Sequence, residues 1–93
     1  MTWNVLRTET ATGPDGRNWE VDLLTGETRI ETPPAGRVLH GVMASAHREE
    51  DWEFKVGTWV PRDQVEAAER RVMTEARRRV EHEDWQAGQK YEV

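Results

Sequence analysis

The chain has 93 residues, a net charge of −5 and no cysteine, with five tryptophans against one phenylalanine and one tyrosine. That length argues for one small domain, and the missing cysteine excludes disulfides, thiolate chemistry and cysteine-based zinc sites. The acidic balance argues against the basic field of a nucleic-acid binder and against attraction to anionic membranes.

Leu, Ile, Val and Phe together supply only 16 residues, below the roughly 20% that marks disorder. The small net charge withholds the other half of that signature. Each tryptophan buries about 150–250 Å², so a folded domain whose core leans on tryptophan is expected. No stretch approaches the ~20 apolar residues of a membrane span. Met1-Thr2-Trp3-Asn4-Val5 has neither the basic nor the apolar region of a signal peptide, and a cytoplasmic location is the expectation.

In chain order, strands are predicted near 2–10, 17–24, 27–32, 37–47 and 51–60. Turn signals separate them at Gly13-Pro14-Asp15-Gly16, Leu24-Thr25-Gly26-Glu27, Pro33-Pro34-Ala35-Gly36 and Arg48-Glu49-Glu50-Asp51. Trp19, Val21 and Leu23 alternate with Asn18, Glu20 and Asp22, and Trp52, Phe54 and Val56 alternate with Glu53 and Lys55. Such period-two patterns describe antiparallel strands with one wet face. The segment 38–44 also fits a short helix, with Gly41 against it. Gly57 breaks the phase of the last strand: a bulge there returns Trp59 to the core, and without one Trp59 faces water.

The period then changes. Asp63 and Glu66 have capping-box spacing after Pro61, and a helix is predicted to about Gln86 or Ala87, stopped by Gly88, with 88–93 as a tail. Val65, Ala68, Val72, Met73, Ala76 and Val80 form its apolar stripe. Glu83 falls in the centre of that stripe, so packing is expected to end near Val80 with the last turns projecting. The fold class is α+β: an antiparallel sheet or meander of four to five strands, then one long C-terminal helix on one face.

Motifs for chemistry are missing. Ser45, the only serine, stands in Ala44-Ser45-Ala46-His47, which is no nucleophile elbow. His40, His47 and His82 lie near carboxylates, but no spacing matches a metal-ligand motif. No glycine-rich phosphate loop is present. The expectation is a protein that is not an enzyme and carries no cofactor and no metal. Nothing in the motifs points to a particular family.

What remains is surface. Arg70 with Arg77 and Arg71 with Arg78 form two helix ridges, suited either to gripping carboxylates or phosphates or to solvation through i,i+4 pairs such as Glu66–Arg70, Glu75–Arg79 and Arg77–Glu81. Trp85 lies opposite the stripe, either as an exposed anchor or folded back over the sheet edge if the helix unwinds near residue 81. Trp3, Trp19 and Trp52 are assigned to the core. The leading function is a non-catalytic protein-binding module, a regulator, adaptor or inhibitor such as mobile elements carry. Its partner-binding set is Trp85, Trp59, Arg70, Arg77, Arg78 and Glu81 with the acidic turn Glu49-Glu50-Asp51. A sheet-plus-helix nucleic-acid binder using Arg7, Arg17, Arg29 and Arg37 is the runner-up. A homo-oligomer built through edge strands, a homodimer in the simplest case, is the third.

Overall fold

Turn chemistry sets the meander. In a computed structural model of the protein, which describes residues 3–32 and 36–93, Gly13-Pro14-Asp15-Gly16 closes the first hairpin. The Gly13 N–H donates to the Arg17 carbonyl at 2.9 Å, and Gly16 takes a φ of 80°, a conformation that glycine adopts without steric cost. This hairpin joins β1 (Asn4–Thr12) to β2 (Asn18–Ile30). Antiparallel pairing continues from β2 to β3 (Val38–His47) and on to β4 (Trp52–Val60). A 3-10 turn over Arg62–Gln64 leads into α1 (Val65–Glu81), after which β5 (Gln89–Glu92) lies parallel beside β4. The spatial order is β1-β2-β3-β4-β5. The α+β fold expected from the sequence is therefore present, and 37–47 belongs to the sheet.

The Glu31 N–H and carboxylate close the second hairpin, reaching the Arg37 carbonyl at 2.7 Å and its guanidinium at 2.8 Å. Pro33, Pro34 and Ala35 of the turn predicted there lie outside the described residues, as do Met1 and Thr2.

One face of the sheet is the core. Trp19, Val21 and Leu23 of β2, Val42, Ala44 and Ala46 of β3, and Phe54 and Val56 of β4 are buried beneath Ala68, Val72, Met73, Ala76 and Val80 of α1. The helix residues are those of the stripe read from the sequence. Alanines on both surfaces let the helix lie close to the sheet. No described helix is long and apolar enough to cross a membrane.

Four local expectations are corrected. The predicted turn at 24–27 is instead a bulge within one 13-residue strand. Gly26 does take a positive φ of 120°, but residues 28–30 go on pairing with β3, so the chain kinks between Thr25 and Thr28 and does not reverse. The Asp63–Glu66 capping box does not form: Gln64 is the N-cap and makes no side-chain cap bond, while Asp63 is spent in the 3-10 turn.

The helix also ends earlier than predicted, at Glu81. Another turn would drive Glu83 into the packed stripe and carry Trp85 to water. Glu83 takes a φ of 50° and the Asp84 N–H donates to the Arg79 carbonyl at 2.9 Å, which reverses the chain. Gly88, with a φ of 81°, then donates to the Glu53 carbonyl at 2.7 Å, and the expected tail becomes β5.

Candidate functional site

The reversal after α1 rearranges the surface that the sequence singled out. Trp85 packs against the core: its ring stands 5.0 Å from Trp19, edge to face, and 5.7 Å from Phe54, stacked. Arg48 sits over both Trp19 and Trp85, at 4.7 and 5.7 Å. Glu49-Glu50-Asp51 is thereby brought to the same end of the sheet as the end of α1, and both Glu81 and the acidic turn are exposed. No helical turn projects there.

The arginine ridges divide. Arg77 reaches across to Glu9 of β1 at 3.0 Å, and Arg78 pairs with Glu75 and with Asp84. Of the predicted pairs, Arg77–Glu81 gives way to Glu9, Glu75 turns to Arg78 while Arg79 lies near Asp84, and Glu66–Arg70 does not form. Glu9 and Asp84 are partners that a wheel of the helix does not contain. Arg70 and Arg71 make no ion pair among the described residues, and they line a shallow groove of about 560 Å³ with Thr74 and Val93. The four arginines of the runner-up surface do not assemble either. Arg7, Arg17 and Arg37 pair with Glu9, Asp15 and Glu31, and only Arg29 joins the aromatic face described next.

That face is the side of the sheet away from α1, and strand register sets its rows. One row runs Val5, Leu24, Met43, Gly57, Glu92 across all five strands; the next runs Thr8, Asp22, Ser45, Lys55, Lys90; a third begins Thr10, Glu20 and His47 and ends at Trp52. Beyond Met43, Gly41 is paired with Trp59, and the Trp3 ring lies 6.0 Å from the Trp59 ring. The face is thus apolar and aromatic at one end and polar at the other.

Two tryptophans reach this face for reasons of register. The pairing between 40–46 of β3 and 54–60 of β4 runs without interruption through Gly57. With no bulge, the odd phase keeps Trp59 on the solvent side, where Arg29 stacks on it at 4.6 Å. The break comes instead between Ala46 and His47, which pairs His47 with Trp52. It turns Trp52 away from Phe54, so the core placement expected for Trp52 is corrected: it is 37% exposed, with the Lys55 ammonium 4.2 Å above its ring. Trp3 is half-buried on the same face and is not part of the core cluster. Trp19 is in the core, at 2% exposure.

A polar network occupies the other end. Asp22 accepts from the Thr8 hydroxyl at 2.6 Å and from His47 Nε2 at 2.9 Å, while His47 Nδ1 meets the Glu49 carbonyl at 3.0 Å. Both ring nitrogens therefore face acceptors, which suits the imidazolium. Burial opposes the charge, but the Asp22 bond, the Glu49 carbonyl and the charges of Asp22 and Glu20 outweigh it and raise the His47 pKa. A raised folded pKa stabilises the protein below about 6.5, the unfolded histidine value, and the contribution is lost as pH climbs through the folded value. Urea melts across that window should show wild-type stability falling with pH. The fall should be shallower in His47→Gln, and an unchanged slope would mean that the imidazolium does not contribute. Neither nitrogen is turned to Ser45, and among the described residues no group of three acidic or histidine side chains is placed to hold a metal.

Lys55 and Lys90 are the only lysines in the chain. Parallel pairing of β4 with β5 makes them direct neighbours, and neither has an anionic partner among the described residues. Burial first, and then the charge of Lys90, hold Lys55 below the usual lysine pKa. Beside them Gly57 carries no side chain. The result is a notch of about 280 Å³ walled by Trp3, Met43, Trp59, Tyr91 and the two lysines, with Glu92 on its rim. Sequence reasoning missed the lysine pair because β5 was read as a tail. The rarity of lysine beside eleven arginines was the one available signal.

Comparison with known proteins gives no match to a family model, to a curated protein or to a solved structure.

Proposed function

We propose that this chain is a non-catalytic protein-binding module, a small regulator, adaptor or inhibitor, and that it docks through the open face of its sheet. The observation that carries this reading is the set of large apolar side chains left on a face that no described element covers. Val5 is 56% exposed at the apolar end, with Trp3, Met43 and Trp59 half-buried at that end, and Trp52 is 37% exposed toward the polar end. A monomer gains nothing from holding aromatic rings in partial contact with water, whereas interfaces concentrate Trp, Met and Arg around an apolar centre. The fold supplies the platform, with α1 packed against its other face.

The test is partner capture from nuclease-treated lysate of the source cells, comparing variants on different faces. Trp52→Glu places a charge on the open face at an already exposed position and should abolish recovery of the partner protein. Arg70→Gln with Arg71→Gln alters the far side of α1 and should leave recovery unchanged. The opposite pattern would move the docking site to the helix, and a partner lost on nuclease treatment would replace the protein with a nucleic acid.

A further inference from the structure

Gly57 is the unexplained residue of the open face. Its backbone is not among the left-handed glycines. A Cβ built on it meets nothing closer than the Val42 carbonyl oxygen at 3.4 Å and Met43 carbons at 3.8 Å, which is ordinary contact. Neither conformation nor packing therefore requires glycine at a position in the middle of a strand, where glycine is destabilising and valine is favoured. What the missing side chain does is keep the notch open between Met43, Trp59 and the lysine pair.

Two neighbouring ammonium groups without an anionic partner among the described residues repel one another, and Lys55, whose ammonium meets the Trp52 ring at 4.2 Å, is partly desolvated as well. An arriving anion would relieve both costs. The charges around the notch limit what that anion can be. Glu92 stands on its rim, and Glu20 and Asp22 occupy the same face farther along. A chain of phosphates tracking across the sheet would meet these carboxylates and a protein of net charge −5. A single carboxylate seated at the lysines would meet only Glu92, against two ammonium groups. The walls are apolar and aromatic, so groups flanking that carboxylate should be apolar too.

We propose that the notch over Gly57 receives an acidic side chain of the partner protein, its carboxylate held by Lys55 and Lys90 and a neighbouring apolar side chain seated against Trp3, Met43 and Trp59. This rests on the open-face docking reading and names the chemistry that the partner brings to it. An ammonium–carboxylate contact removed from bulk water is among the stronger hydrogen bonds available to an interface.

The indole N–H signals provide an internal comparison, since Trp3, Trp52 and Trp59 report on the open face and Trp19 and Trp85 on the core. The full ¹⁵N-labelled chain is titrated with a blocked leucine–glutamate–leucine tripeptide, with its glutamine counterpart, and with oligothymidylate. The expected result is saturable movement of the Trp3 and Trp59 signals by the acidic peptide, at about tenfold lower concentration than the glutamine peptide requires. Lys55→Gln with Lys90→Gln should erase that preference. Gly57→Val should abolish the response while the Trp19 and Trp85 signals and the melting midpoint are retained or the midpoint rises.

Equal response to the two peptides, response to oligothymidylate alone, or no response from the folded chain would each overturn the proposal. So would undiminished peptide binding in Gly57→Val. These failures are separate from that of the docking reading. If partner capture is abolished by Trp52→Glu while the peptides do nothing, the open face stands and the acidic-segment assignment falls.

Discussion

Trp85→Ala should destabilise the fold by about 3 kcal/mol, the lower end for removal of a large aromatic from a packed site. The ring is partly buried, but it closes the aromatic cluster from the side that α1 does not reach, 5.0 Å from Trp19 and 5.7 Å from Phe54. Removing it would expose Trp19 and Phe54, which are 2% and 0% accessible. It would also loosen the segment that carries β5 back to β4, since Gly88 and Gln89 follow directly and the Gln86 N–H is held by the Tyr91 hydroxyl at 2.8 Å. For a chain of this length the thermal midpoint should drop by more than about 10 °C, as read by circular dichroism. A residue serving only as a docking anchor would behave otherwise, leaving the midpoint within a degree or two while partner binding is lost. That outcome would put the helix end back as the interaction site.

Gly41→Val should cost about 1–2 kcal/mol, and its effect should be seen at Trp3. A Cβ at residue 41 falls 2.5 Å from the Trp3 Cη2 atom and 3.1 Å from two atoms of the Trp59 ring. These ring atoms belong to rigid side chains, so one indole has to move. Trp59 is held by pairing within β4 and under Arg29, whereas Trp3 precedes β1, so Trp3 should be the one displaced. Overpacking usually costs about 1–3 kcal/mol, and the strand preference of valine over glycine offsets part of it. The observable is a shift of the Trp3 indole signal toward its value in unfolded chain, with Trp19 and Trp85 unmoved. Unchanged Trp3 and Trp59 signals would show that the two rings do not tile Gly41. The same substitution at Gly57 should be neutral or stabilising, so the two glycines of one face are expected to respond with opposite sign.

How much was legible follows from how far each signal reaches along the chain. Alternation in 17–24 and the stripe from Val65 to Val80 are local periodicities, and they located the first part of β2, the packed face of α1 and much of the core. Gly13-Pro14-Asp15-Gly16 is local turn chemistry, and it closed the hairpin expected of it. Gly26 shows the limit. Its positive φ is implicit in the residue type, but whether that φ reverses the chain or only kinks a strand depends on residues 28–30 finding partners in β3. The arginine pairs fail for a similar reason: a wheel knows only its own helix, and Glu9 lies 68 residues from Arg77.

The amino-acid sequence by itself determined the α+β class of this protein, the placing of a helix after the antiparallel strands, the buried stripe and the shortage of aliphatic residues that gives tryptophan its weight. Tertiary structure alone decided the sides taken by Trp52, Trp59 and Trp85. A one-residue break between Ala46 and His47 turned Trp52 outward, an unbroken ladder through Gly57 kept Trp59 outward, and a single left-handed residue at Glu83 brought Trp85 inward. The same reversal set Lys90 beside Lys55. In a strand every slip of one residue exchanges the two faces, and the slip is chosen by the neighbouring strand, so no window of sequence containing only one of the partners can state the outcome.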